Sequence, residues 1–170
     1  MTETPTVSVI MNCFNGETYL REALDSVLTQ TFEDWEIVFW DNQSTDRSAE
    51  IFKGYTDPRF RYCYAPDHTL LYEARNYAIE RTRGEFIAIL DTDDWWLPQK
   101  LEKQLPLFSD SAVGFTCSNF WVTSLIRNKT WLALTKSIPT GWVLQELLRR
   151  YSVALVTLMV RRSALESLDY

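Results

Sequence analysis

Two hydrophobic spacings alternate along the first ninety residues. Residues 7–13 form an apolar run behind Pro5 that reads as a buried first strand, and residues 35–40 and 60–64 read as a second strand and a short third one. Residues 86–90, Phe86 to Leu90, are apolar without interruption, the pattern of a strand covered on both faces. Between these runs the spacing changes to that of a helix. Residues 17–31 place Tyr19, Leu20, Ala23, Leu24, Val27 and Leu28 at i, i+3, i+4 positions, one face of a helix. A second helix runs through Ala49, Ile51 and Phe52, with Ser44 or Thr45 available as its cap. A third covers residues 72–82 and is stopped by Gly84.

This β-α-β-α-β-α-β order predicts an α/β fold with a mostly parallel central sheet flanked by helices on both faces. After Pro98 the pattern shifts. A helix is expected over 100–108, a strand over 113–118 and a hairpin over 120–134 around Arg127-Asn128-Lys129. A helix over 141–151, a strand over 154–160 and the start of a helix at 161 follow. No repeat, low-complexity segment or linker divides the chain, so residues 1–170 are expected to form a single domain.

Composition narrows the classes. Hydrophobic residues at 46% and seven tryptophans suit a packed core and exclude disorder. A net charge of −6 without a basic run argues against nucleic acid as a partner, and favours recruitment of a cation that then binds phosphate. The N-terminus lacks the basic and apolar regions of a signal peptide. The longest late apolar stretch, residues 153–160, is far short of the ~20 residues of a spanning helix. Cys13, Cys63 and Cys117 have no paired spacing and are expected as reduced thiols. The expected location is cytoplasmic, extending to a peripheral place at the inner face of a membrane. The single histidine, His68, excludes most His-rich zinc sites and argues against a Ser-His-Asp triad; in its Pro-Asp-His loop it is expected to be solvated.

The candidate chemistry lies where strands end. Residues 86–90 run directly into Asp91, Asp93 and Asp94, and carboxylates this close penalise one another's ionisation. A hard divalent cation removes that penalty. A turn that merely caps the helix begun at Pro98 needs one carboxylate, not three. The second strand also ends in a polar cluster, residues 41–46, and right-handed crossovers bring both strand ends to one edge. A cleft lined by Asn12, Asp41, Asn42 and the Asp91 to Asp94 cluster follows. With no G-x-G-x-x-G or P-loop, a metal on the acidic cluster is the available holder of phosphates. Arg75 can pair with phosphate or bridge a neighbouring acid. Asp46 is expected to shape its turn. Trp95 and Trp96 can floor a sugar subsite or join the core, and Trp121, Trp131 and Trp142 raise weaker suggestions of an acceptor site.

Several segments, in order, resemble the family 2 glycosyltransferases, inverting enzymes of the Rossmann-like GT-A fold. They are residues 7–15, 19–32, 41–46, 74–79 and 83–94, with a further likeness at 158–165. The resemblance implies transfer of a sugar from a nucleotide-diphosphate donor to a hydroxyl of a saccharide or lipid-linked acceptor, in cell-surface polysaccharide or glycoconjugate synthesis, with Mn²⁺ or Mg²⁺. Asp91-Thr92-Asp93 matches the family's DxD motif: the first aspartate faces the ribose and the last binds the metal, so Asp93 and Asp91 are the implied metal-site pair. Asn12, Phe14, Asn15, Glu17, Asp41, Asn42, Arg75, Asp91, Thr92 and Asp93 are the implied nucleotide-sugar contacts. Asn42 stands where an aspartate is more usual, so base preference is not inherited, and a UDP-sugar is favoured by family frequency only. Phe14 replaces a common tyrosine and keeps the capacity to stack on a base.

The resemblance also implies a general base in a second acidic motif. Asp169 does not match that motif, and the base is expected beyond Tyr170. Residues 1–110 are thus expected as the nucleotide-sugar-binding half, and 111–170 as a partial, truncated acceptor half. Such a chain would bind donor and metal but transfer poorly alone. The alternative is a catalytically silent nucleotide- or sugar-binding module. The late tryptophan-rich segment leaves room for a homo-oligomer.

Overall fold

The structure, a computed structural model, describes residues 4–124, 126–149 and 153–167. Four strands run parallel: β1 (Val7–Cys13), β2 (Trp35–Asp41), β3 (Phe60–Tyr64) and β4 (Phe86–Ile89). Two short strands, β5 (Phe115–Thr116) and β8 (Met159–Arg161), extend the sheet antiparallel beyond β4. The order is β3-β2-β1-β4-β8-β5. Strand order reverses between β1 and β4, and the crevice at the carboxyl ends of such a pair is where open α/β sheets bind ligands. A separate hairpin pairs β6 (Trp121–Ser124) with β7 (Lys129–Leu132), as its spacing predicts.

Alternation along β1 sorts the core into two layers. Val7, Val9, Met11 and Cys13 pack with Leu20, Ala23, Leu24 and Val27 of α1 (Leu20–Leu28), Ile51 and Phe52 of α2 (Ser48–Lys53), and Leu101 of α4 (Lys100–Gln104). Ile10, on the other face, packs with Val38, Trp40, and Ala74 and Ala78 of α3 (Leu71–Glu80). Helices therefore cover both faces of the sheet. At its amino edge, the buried carboxylate of Glu36 accepts from Ser8 Oγ at 2.7 Å, from Arg61 at 2.9 Å and from Arg83 at 2.8 Å.

Past Pro98 several boundaries differ from expectation, each for a local reason. The 100–108 helix becomes α4 followed by a 3₁₀ turn, Leu105–Ser109, because Pro106 has no N–H with which to continue an α-helical ladder. The expected strand over 154–160 begins instead as a 3₁₀ turn, Leu155–Thr157, closed by Thr157 Oγ1 donating to the Ala154 carbonyl at 2.7 Å. Only Met159–Arg161 is extended, and α6 (Arg162–Glu166) follows. The 113–118 strand is confined to Phe115–Thr116, and the 141–151 helix to α5 (Leu144–Arg149) with part of its expected length outside the described residues. No helix among the described residues is long and apolar enough to cross a membrane.

Candidate functional site

The carboxyl ends of β1, β2 and β4 converge at one edge, built by two interlocked loops. Asn15 lies in the left-handed region at φ 56°, and its Oδ1 accepts from the Thr45 N–H at 2.7 Å. Asn15 N–H donates to Ser44 Oγ (3.1 Å), Gly16 N–H to Ser48 Oγ (2.9 Å) and Glu17 N–H to Asp46 Oδ2 (3.0 Å). In return, Arg47 N–H donates to Glu17 Oε2 at 3.0 Å. The structure thus places Asn15 and Glu17 as the tie between the β1 and β2 loops. Ser44 and Thr45 are drawn into the same lacing, so neither caps α2. The carboxylate of Asp46 accepts from Ser48 N–H instead, at 2.9 Å, shaping the turn as expected.

Asp41 has no exposed surface; its carboxylate accepts from Ser44 N–H at 2.7 Å and from the Tyr62 hydroxyl. Burial, reinforced by Asp41, pushes the Tyr62 phenol well above its ordinary range. The Asn42 side chain clamps the segment before α3: Nδ2 donates to the Thr69 carbonyl at 2.8 Å, and Oδ1 accepts from Thr69 N–H at 3.2 Å. The Asn42 carbonyl lies 2.8 Å from His68 Nδ1 and can only accept, so Nδ1 carries the proton. His68 is exposed, as expected, but is pinned there, its ring centroid 4.4 Å from that of Phe14. Phe14, 54% exposed, keeps a face free for a planar ligand.

On the α3 side, Arg75 bridges to Asp91 Oδ1 at 2.8 Å. Its Nε, and both polar atoms of the Asn12 side chain, are buried without a hydrogen-bond partner. Buried polar groups are rarely left this way, and these flank the strand ends where a polar ligand would arrive. Thr92 packs under the β1 loop: a Cβ added at Gly16 would lie 2.8 Å from Thr92 Oγ1. Asp93 is exposed and Asp94 half-buried, and burial, then Asp93 and Asp91, push Asp94 up to about 6. No three His, Cys, Asp or Glu side chains converge to hold a metal among the described residues. The donor set fits a different arrangement, in which one or two carboxylates bind a hard cation whose remaining ligands are substrate phosphates and water. Asp93 is the carboxylate open to that role, whereas Asp91 already shares an oxygen with Arg75.

Beside the acidic cluster opens a cavity of about 640 Å³. Its lining includes Asp93, Trp95, Trp96, Lys100, Gln104 and Trp121. The two adjacent tryptophans divide their roles. Trp95 is exposed, while Trp96 is buried and donates its Nε1–H to the Val156 carbonyl at 2.9 Å. Of the three later tryptophans, Trp121 lines the cavity; Trp131 and Trp142 lie outside its lining and are exposed. Lys100, to which the sequence assigned no role, donates to Gln104 Oε1 at 2.6 Å and sits 4.2 Å over the Trp96 ring. Burial pushes its ammonium down to about 7.

The family model for glycosyl transferase family 2 matches residues 8–166. TuaG of Bacillus subtilis, named for teichuronic acid biosynthesis, is 31% identical over 160 residues, covering 93% of this chain and 63% of TuaG. The structure of S. aureus TarS 1–349 in complex with UDP-GlcNAc superposes with a TM-score of 0.76 at 20% identity, covering 95% of this chain and 47% of TarS 1–349. The mannosyltransferase PcManGT of Pyrobaculum calidifontis, in complex with GDP-Man and Mn²⁺, gives a TM-score of 0.63 at 25% identity, over 70% of this chain and 37% of PcManGT. The chain thus spans less than two thirds of the length of these relatives. The sheet order and the long superposition on TarS establish the GT-A fold, and the match over nearly every residue places this chain in glycosyl transferase family 2.

Proposed function

We propose that this domain binds a nucleotide-diphosphate sugar, a UDP-sugar by preference, through a divalent cation held by Asp93, for inverting transfer to a saccharide or lipid-linked hydroxyl acceptor in polysaccharide synthesis. The observation that carries the reading is the juxtaposition at one sheet edge of open carboxylates, a free aromatic face and orphaned polar atoms. The side-chain carboxylates of Asp93 and Asp94 accept no hydrogen bond among the described residues, Phe14 is exposed, and the Asn12 side chain and Arg75 Nε are unsatisfied. The TarS complex with UDP-GlcNAc and the PcManGT complex with Mn²⁺ support the donor class and the metal.

Each residue then has a task. Phe14 stacks on the base, and the Asn12 carboxamide supplies a donor and an acceptor beneath it. Asp91, oriented by Arg75, faces the ribose. Asn15, Glu17, Asp41 and Asn42 position the surrounding loops, and Thr92 sets the spacing between the two aspartates. Mn²⁺ or Mg²⁺, when bound, stabilises the charge that grows on the departing diphosphate. The acceptor hydroxyl must lose a proton as it attacks. No residue described above is assigned as that base, and Asp169 lies outside the described residues. Titration calorimetry with UDP, GDP and dTDP in the presence of Mn²⁺ tests the donor class. Preferential binding of UDP is expected; equal affinity for all three, or for none, overturns the assignment.

A further inference from the structure

The cavity beside Asp93 holds a cation with no anion to match it. Gln104 Nε2 donates to Thr116 Oγ1 at 3.2 Å and to the Thr157 carbonyl at 3.0 Å, which turns its Oε1 toward Lys100. That oxygen takes one of the three ammonium donors. The Trp96 face, 4.2 Å away, adds attraction but accepts no full hydrogen bond. No carboxylate lies within 4 Å of Lys100 Nζ among the described residues. A desolvated ammonium with a single neutral acceptor is expensive to keep, and an incoming oxyanion would relieve it. Around it the walls suit a sugar: Trp95 is 53% exposed and Trp121 is 60% exposed, both facing the same space. A volume of about 640 Å³ lies in the range of small-ligand sites. Asp93 and Asp94 also line the cavity, so its contents meet the acidic cluster directly.

We infer that this cavity binds an acceptor saccharide carrying an oxyanion, phosphoryl or carboxylate, with Lys100 as the anion contact and Trp95 and Trp121 as sugar-stacking walls. The assignment of the occupant as acceptor rests on the donor reading above; binding of an anionic saccharide at Lys100 does not. Asp93 and Asp94 repel the same anion, so the saccharide is oriented with its charge at Lys100 and a hydroxyl toward the donor.

The test uses three probes in metal-free buffer, where the donor site cannot capture phosphate: glucose 1-phosphate, glucuronic acid and methyl glucoside. Titration is followed by calorimetry on the wild type, Lys100→Met and Lys100→Arg. At least one anionic probe is expected to bind the wild type about tenfold or more tighter than methyl glucoside. Lys100→Met should remove that preference and Lys100→Arg should keep most of it. Preference for one anion over the other identifies the group as phosphoryl or carboxylate. Equal binding of neutral and anionic sugars, no binding of any probe, or a preference that survives in Lys100→Met overturns the inference. The wild-type comparison decides even if a variant fails to fold. Manganese-dependent UDP binding, measured separately, reports on the donor site: its loss with the anion preference intact refutes that reading alone.

Discussion

Replacing Glu36 by alanine removes an acceptor on which five donors converge: Ser8 Oγ at 2.7 Å, Arg61 Nη1 at 2.9 Å, and the Arg83 N–H, Nε and Nη2 at 2.9, 3.0 and 2.8 Å. Glu36 is 1% exposed, so water cannot replace it. Breaking a buried ion pair by deleting one partner costs about 3–5 kcal/mol. Arg61 and Arg83 are 32% and 42% exposed and can rehydrate, which lowers the expectation to roughly 2–4 kcal/mol. In urea, with m of about 2 kcal/mol/M, the midpoint should fall by about 1–2 M. The loss should also depend on pH. Burial alone would raise the Glu36 carboxyl, but hydrogen bonds from Ser8, Arg83 and Arg61 outweigh it and hold it below the ordinary range. A carboxyl lowered in the folded state contributes stability that is present above its unfolded value, near about 4.3, and is lost as pH falls through the folded value. The gap between wild type and Glu36→Ala should therefore be constant near neutrality and close only in acid. A difference under about 0.5 kcal/mol at neutral pH, or one that widens on acidification, refutes this account of the sheet's amino edge.

Two glycines give further tests. Gly84→Ala would put a Cβ 2.7 Å from the Ser8 backbone nitrogen, which cannot swing aside, so thermal melting should drop by about 3–10 °C; an unchanged midpoint contradicts the close approach. Gly16→Ala would press on Thr92 Oγ1 from 2.8 Å and displace Asp93, weakening manganese-dependent UDP binding by roughly tenfold. Adding Thr92→Ala, which deletes the crowded hydroxyl, should restore part of that affinity, and the absence of any recovery would separate the loop from the acidic motif.

Most of the sheet was legible in the sequence because β1, β2 and β4 are buried and read as largely apolar runs. The late segment was not. Pro106 breaks the α-helical ladder into one 3₁₀ turn and the Thr157 hydroxyl closes another, and an apolar run such as 154–160 does not distinguish such a turn from a strand. The acidic cluster was legible for a similar reason, since Asp91, Asp93 and Asp94 are neighbours in the chain. Their partners were not. Arg75 on Asp91 spans 16 positions and Asn42 on Thr69 spans 27, and no local pattern encodes such pairings. Asn15 and Glu17 were named from the family resemblance as donor contacts, yet their visible bonds run to the β2 loop. Lys100 reads in the sequence as one more surface lysine on an amphipathic helix; only the fold brings it over Trp96 and beside Gln104. The cavity it lines joins α4 to the β6–β7 hairpin and the 3₁₀ turn after Ala154, segments far apart in sequence.

Asp93 is proposed to hold the cation through which a nucleotide diphosphate binds. Titration calorimetry of UDP on the wild type and on Asp93→Ala, each in Mn²⁺ and in EDTA, tests it most directly. Binding is expected by the wild type in Mn²⁺ only, and none by Asp93→Ala in either buffer. UDP binding of equal strength in EDTA, or undiminished in Asp93→Ala with Mn²⁺, would contradict it.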